Sequence, residues 1–277
     1  MSLEQFSFSI YRIIGNELPL RDEPGGRLAS YEFILQNEPE WSGVYKCWII
    51  NRVYNQAYIS EIVSLLLHYN ANFLINPFIG KEYRKCETRD EKTLYAINAN
   101  VGRNFALHNR VNCDFTMVFD GECMLTDDAY RAVVSEITDD QAMICDTADN
   151  FRHYYSLPMK RVAIDDFQRV PHSSIKLEEP QLVFGRDSKR TFNEAMVYPD
   201  EDKCELLWKI GHSREPGRHF VVVNPRECLS VGYVLHINSG SNPVETSLDE
   251  REIARTHGKD ILLSLIDEEF NALHKTP

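Results

Sequence analysis

The sequence predicts an α/β fold in which a mostly parallel sheet is flanked by helices. Short apolar runs rich in β-branched and aromatic residues alternate with stretches of helical spacing through the first half of the chain. Gly, Pro and Asn punctuate the breaks between them. At 277 residues, 43% of them hydrophobic, the chain supplies one substantial core.

The run FSFSIYRII (6–14) reads as the first strand and stops at Gly15-Asn16, a turn signal. After the Pro-Gly-Gly break at 24–26, LASYEFILQNE (28–38) has helical spacing and ends at Pro39. YKCWIINRV (45–53) is a second strand, and AYISEIVSLLLHYN (57–70) is a helix with Ile59, Ile62, Val63, Leu66 and Leu67 on one stripe. ANFLINPF (71–78) supplies a third strand. The polar stretch 80–93 reads as a surface loop, and 94–112 starts as loop or strand and becomes helix around Gly102. CDFTMVFD (113–120) is a fourth strand, DDAYRAVVSEI (127–137) a helix and AMICDTA (142–148) a fifth strand. The second half is less regular, with strand-like pieces at 181–185, 219–224 and 230–237.

Composition narrows the function classes. The balance of 42 acidic against 30 basic residues leaves a net charge of −12, which disfavours a dominant nucleic-acid footprint. Seven cysteines, at 47, 86, 113, 123, 145, 204 and 228, form no CxxC pair, so reduced thiols in a cytosolic setting are expected. No apolar run approaches the roughly 18 residues of a membrane span, and the first residues lack the basic start of a secretory signal. Neither G-x-x-x-x-G-K-[ST] nor G-x-G-x-x-G occurs, which lowers NTPase and dehydrogenase readings. A nucleophile elbow and an H-E-x-x-H helix are absent too, against a hydrolase.

Open α/β sheets bind ligands at the carboxyl ends of their strands, which places Asn16, Arg52, Pro77 and Asp120 around one crevice. There the strand 113–120 ends in Asp120-Gly121-Glu122. Two hard oxygen donors suit Mg2+ or Mn2+ shared with phosphates, and the glycine between them leaves room for a bulky ligand. The same tripeptide also suits a turn whose Asp caps the next helix.

Three segments carry a family resemblance. NVGRNFALHNRVNCDFTMVFDGECMLTDDAY (100–130) resembles the stretch of family-2-type glycosyltransferases in which an Arg-Asn pair opens a helix and a strand then ends in an Asp-x-Asp-like motif. FNEAMVYPDEDKCELLWKIG (192–211) resembles their later segment, where an acidic pair precedes a helix, and FSFSIYRIIGN stands in the place of the donor-binding first strand. The resemblance implies a GT-A fold, with a less regular C-terminal acceptor half, that binds a nucleoside diphosphate sugar. It organises the chain as one domain, 1–277, with a nucleotide-sugar-binding half at 1–148 and an acceptor half at 149–277.

The same resemblance implies residue roles. Arg103 and Asn104 would lie near the donor. On the residues alone, Asn16 stands at the same crevice as a donor contact, and Arg12 and Arg52 could clamp the diphosphate or pair with the surplus acids. Asp120 and Glu122 would hold Mn2+ or Mg2+, although this chain has Glu where the motif ends in Asp. Asp202 of the pair Glu201-Asp202 would be the general base that takes the acceptor hydroxyl proton. The pair equally suits the acidic start of a helix that keeps Lys209 near its end. Glu179 is a second candidate carboxylate, beside Glu178, against a solvated surface pair. His236 is a candidate third metal ligand, with His212 competing and simple packing as the alternative. Trp41, Trp48 and Trp208 are candidate stacking platforms, with core burial favoured for Trp48.

The function so implied is metal-dependent transfer of a sugar to an acceptor hydroxyl. The acceptor is a glycan, a lipid, a protein, a small molecule or, less in keeping with the charge, a hydroxylated base in DNA. A nucleotidyltransferase on the same sheet is the alternative enzyme, weakened because GNELPLRDEPGG has the glycines but is short of the basic residues such a loop needs. A noncatalytic nucleotide-sugar or glycan-binding module is the alternative of another class.

Overall fold

The computed structural model describes residues 6–22, 25–144, 151–168, 177–196, 203–215, 219–238 and 248–273. Four parallel strands carry the first half: β1 (Phe8–Ile14), β2 (Tyr45–Asn51), β3 (Asn72–Asn76) and β4 (Phe115–Asp120). All seven residues of β1 are buried, so it reads as a continuous apolar run and not as an alternating one. Between β1 and β2 lies α1 (Gly26–Asn37), and between β2 and β3 lies α2 (Gln56–His68).

The start of α2 is set by Asn55, whose side chain accepts from the N–H groups of Ala57 at 3.0 Å and Tyr58 at 3.2 Å. Its buried stripe is Tyr58, Ile62 and Leu66, while Leu67, expected on that stripe, faces solvent. The stretch 80–93, expected as a loop, contains α3 (Gly80–Tyr83) and the start of α4 (Arg89–Ala96). The physical reason is a capping box in which Thr88 and Glu91 satisfy each other's backbone donors, a polar signal that composition alone reads as loop. Next comes α5 (Ala99–His108), which packs so close to the sheet that a Cβ on Gly102 would lie 2.5 Å from Ile13 Cγ2.

Beyond β4 the chain forms β5 (Cys123–Met124), α6 (Asp127–Ile144), β6 (Tyr154–Ala163), β7 (Leu177–Gly185), α7 (Cys204–Lys209), β8 (His212–Glu215), β9 (His219–Val222), β10 (Cys228–Ser230), β11 (Val234–Asn238) and α8 (Leu248–Leu273). The strand expected over 142–148 is corrected in its described part, since α6 runs through residue 144; Gln141 of α6 is held by Tyr155 and the Arg152 carbonyl. Neither β6 nor α8 was expected. In α8 apolar residues run round the helix, with Leu262, Leu263 and Ile266 buried but Ile253, Ile261 and Leu265 exposed, so no single stripe marks it.

The large sheet has the order β3-β2-β1-β4-β7-β6-β11-β5, with β10 also pairing β6, while β8 and β9 form a separate antiparallel pair. Strand β7 is antiparallel to both β4 and β6. This is the expected mostly parallel sheet flanked by helices. Both faces are covered. On one, Phe115, Met117 and Phe119 pack with Val133 and Ile137 of α6; on the other, Tyr11, Ile13 and Val118 pack with Ala106 and Leu107 of α5 and Leu206 and Leu207 of α7.

Candidate functional site

The strand order reverses at β1: the chain steps outward from β1 to β2 to β3, then returns to place β4 on β1's other side. Ligands of open α/β sheets bind at the carboxyl ends of strands flanking such a reversal. Asp120 is the last residue of β4, in register with Ile13 of β1, so the fold delivers its carboxylate to that point.

Three protein donors converge on Asp120. Arg103 of α5 donates from Nη2 to Oδ1 at 2.7 Å, while Gln181 Nε2 and Lys203 Nζ reach Oδ2 at 2.9 and 3.0 Å. Lys203, at the start of α7, also lies 3.4 Å from Glu179 Oε1. The Arg103 and Lys203 side chains are each 4% exposed, against 27% for Asp120 and 33% for Glu179. Burial alone would raise the Asp120 carboxyl. The Lys203 and Arg103 charges, helped by hydrogen bonds from Arg103 and Gln181, instead hold it well below the usual carboxylate range.

Glu122 belongs to a second buried pair. Arg27, on the first turn of α1, donates Nε to Oε1 at 2.6 Å and Nη2 to Oε2 at 3.3 Å, a two-pronged contact. Burial would raise this carboxyl too, but the Arg27 charge, with His236 and Arg21 adding, brings it down to about 2. His236 on β11 is brought close through the β5–β11 pairing, in register with Cys123. Gly121 does not leave room for a ligand as expected. A Cβ there would lie 2.9 Å from the Ile13 carbonyl oxygen and 3.1 Å from Tyr31 Cε1, so the glycine serves close approach of β1 and α1.

Several expected donor contacts are structural. Arg12 lies on the face of the sheet opposite α5, 1% exposed, paired with Glu38 and donating to the Cys123 carbonyl at 2.7 Å beneath Trp48 and Phe119. It cannot clamp a diphosphate from there. Asn16 uses its amide to bind the carbonyls of Arg52 and Ala96 and the N–H of Tyr54, which pins the loops after β1 and β2 to the end of α4. Arg52, at φ 48°, stacks on Tyr95 and donates to its carbonyl. Asn104 binds the Phe192 backbone through both amide atoms and also Glu194. With Asn98 and Asn100, which bind the carbonyls of Glu194 and Asn193, it anchors 192–194 against α5.

Glu201 and Asp202 lie outside the described residues. His212 is buried beside Ser156, its Nε2 2.9 Å from Oγ, and burial brings its pKa down to about 4. It is a packed histidine. Trp48 is core, and Trp41 stacks on Tyr130 while donating to Asp127. Trp208 is half exposed on α7. Sequence reasoning missed Lys203, Gln181 and Arg27. Lys203 sat in view directly after the acidic pair, but its partners lie 24 or more positions away along the chain.

The residues expected to hold Mn2+ or Mg2+ do not fit that role as placed. Among the described residues no group of three or more His, Cys, Asp or Glu side chains is arranged to hold a metal. Of the roughly four lone-pair positions on a carboxylate, three on Asp120 already accept from protein donors. Both oxygens of Glu122 bind Arg27.

No family model and no curated protein sequence matches the chain. Solved structures similar to it include S. aureus TarS, at 12% identity and a TM-score of 0.41, over 73% of this chain and 33% of that one. GalNAc-T7 with UDP, GalNAc and Mn2+ is similar at 10% identity and a TM-score of 0.47, over 88% of this chain and 47% of that one. The mannosyltransferase PcManGT from Pyrobaculum calidifontis, in complex with GDP-Man and Mn2+, is similar at 10% identity and a TM-score of 0.46, over 98% and 76%. The chain thus spans a third to about half of the length of the first two. At 10–12% identity no residue role passes from them to this chain.

Proposed function

We propose that the chain is a glycosyltransferase of GT-A-like fold that moves a hexosyl or pentosyl group from a nucleoside diphosphate sugar to an acceptor hydroxyl. The observation that carries this reading is the buried Arg103 and Lys203 pair on Asp120 at the reversal of strand order. Fixed, desolvated cations at a ligand-binding strand end suit a diphosphate, whose negative charge grows as the bond to the sugar breaks. They are already oriented before the donor arrives, so little reorganisation is needed at the moment of reaction.

In the proposed reaction the acceptor oxygen attacks the anomeric carbon while the bond from that carbon to the diphosphate oxygen breaks. The acceptor's proton passes to a carboxylate. Asp202, adjacent in sequence to Lys203, is the proposed base, with Glu201 and Glu179 as neighbouring carboxylates. Arg103 is the proposed donor-side contact, and Asn104 supports the site by holding 192–194 in place. Mn2+ or Mg2+, implied by the family resemblance, is assigned no step in this reaction. A cytosolic setting is proposed from the six described cysteines, all unpaired; among the described residues no helix is long and apolar enough to cross a membrane.

A thermal-shift screen of nucleoside diphosphates and their sugars, on the wild type and Asp120→Asn, tests the donor site. A ligand at about 100 times its dissociation constant stabilises the folded state by about 2.7 kcal/mol. Stabilisation by one nucleotide family, weakened in the variant, together with slow hydrolysis of the sugar donor, is the expected result. Binding without any turnover of donor would instead make the chain a binding module, and no shift with any nucleotide would remove the transferase reading.

A further inference from the structure

We propose that Lys203, together with Arg103, stands in for a divalent metal at this site, so that donor binding and transfer proceed in its absence. This rests on the transferase reading above. Lys203 Nζ lies 3.0 Å from Asp120 Oδ2 and 3.4 Å from Glu179 Oε1, which sets the ammonium against one of the carboxylates expected from the sequence to hold a hard cation. Its side chain is 4% exposed and lies between those two carboxylates.

Among the described residues, Arg103 and Lys203 face Asp120 and Glu179, and the second carboxylate of the motif, Glu122, is paired with Arg27. A dication placed on Asp120 would therefore face two fixed positive charges within a few ångströms, or would have to expel one of them. A diphosphate meets the opposite situation, because it competes with the acids for cations already in place. Arg offers a planar fork and Lys a compact point charge, the pair of donors that phosphate oxygens accept well.

The bond changes are those of simple displacement. The bond between the anomeric carbon and the diphosphate oxygen breaks, and its electron pair stays on that oxygen beside Lys203 and Arg103. The acceptor oxygen bonds to the same carbon, and its proton goes to the base carboxylate. Nothing is oxidised or reduced.

Titration calorimetry of the nucleoside diphosphate found in the screen, with EDTA and then with Mn2+, tests the idea on wild type, Lys203→Met and Lys203→Arg. Wild type is expected to bind with dissociation constants within about threefold in the two conditions. In EDTA, Lys203→Met should bind at least about tenfold more weakly, and Lys203→Arg should recover most of that loss because it keeps the charge. Donor hydrolysis by the wild type should persist in EDTA. Circular dichroism melts establish that each variant is folded, and if Lys203→Met is not, the wild-type comparison and Lys203→Arg decide the matter. Binding or hydrolysis that vanishes in EDTA and returns with Mn2+ would overturn this inference while leaving the transferase reading intact. Undiminished binding by folded Lys203→Met would overturn it as well. Absence of nucleotide binding in both conditions would remove the transferase reading itself.

Discussion

Gln181 holds Asp120 at two points: its Oε1 accepts from the Asp120 N–H at 3.1 Å, and its Nε2 donates to the carboxylate at 2.9 Å. Strand β7, antiparallel to β4, brings this amide next to the strand end, and Gln181 is fully buried. The two contacts also settle which amide atom is oxygen, since one partner is a donor and the other an acceptor. Asp120 is thereby fixed in backbone and side chain before any ligand arrives.

Replacing that amide by an apolar side chain should uncover both ends of the relationship. Gln181→Leu leaves the Asp120 N–H without its acceptor in a buried setting and is expected to destabilise the fold by about 1–3 kcal/mol. Urea unfolding reads this as a lower midpoint at unchanged slope. A midpoint equal to wild type would show that Gln181 does not hold Asp120.

Gly121 makes a steric prediction. The Cβ added by Gly121→Ala would meet the Ile13 carbonyl oxygen at 2.9 Å, and a backbone atom in a fully paired strand cannot yield cheaply. We expect a loss of about 1–3 kcal/mol, the range for overpacking, and a drop in donor binding as Asp120 and Glu122 are pushed apart. A crystal structure or a melt indistinguishable from wild type would contradict this.

The Arg27 and Glu122 pair should make stability depend on acid. With Arg27 in place the folded carboxyl sits at about 2, below its usual value of 4.5, so the pair stabilises the fold above that usual value and the benefit fades as pH falls towards 2. Arg27→Met leaves a buried carboxylate without its two-pronged partner, and breaking such a pair costs about 3–5 kcal/mol near neutrality. The gap between wild type and variant should narrow steadily from pH 5 towards pH 2, where Glu122 takes up a proton in both. Denaturant titrations across that range measure it, and a constant gap would show that the pair is not electrostatically coupled.

His212 predicts a separate slope at higher pH. Its folded pKa of about 4 lies below the usual 6.5, so the unfolded chain binds the proton more readily. Stability is therefore undiminished above pH 6.5 and falls as pH drops towards 4, by an amount on the order of 3 kcal/mol. His212→Gln removes the titration, and its stability profile should lack that component. Equal slopes in the two proteins would place the imidazole in water.

How much of this was legible beforehand differs by residue. The first four strands and the helices α1 and α2 follow from local signals, because a buried parallel strand needs an unbroken apolar run and an amphipathic helix needs its stripe. That Asp120 ends β4 could be expected for the same reason; that β4 borders β1 comes from the sheet order. The capping box at Thr88 was missed because it consists of polar residues, and α8 because its apolar residues circle the helix.

The sequence by itself determined the α/β class, the order of the first elements and the position of Asp120 at a strand end, since each depends on neighbours a few residues apart. Only the tertiary structure decided what surrounds that carboxylate. Arg103, Gln181 and Lys203 come from α5, β7 and the start of α7, and Arg27 reaches Glu122 across 95 positions. It also decided that Arg12 turns into the core, because the face a side chain takes on a strand covered on both sides is set by the pleat and leaves no trace in an unbroken apolar run. Charge pairing between distant elements has no periodicity, so it enters only when the sheet brings those elements to one edge.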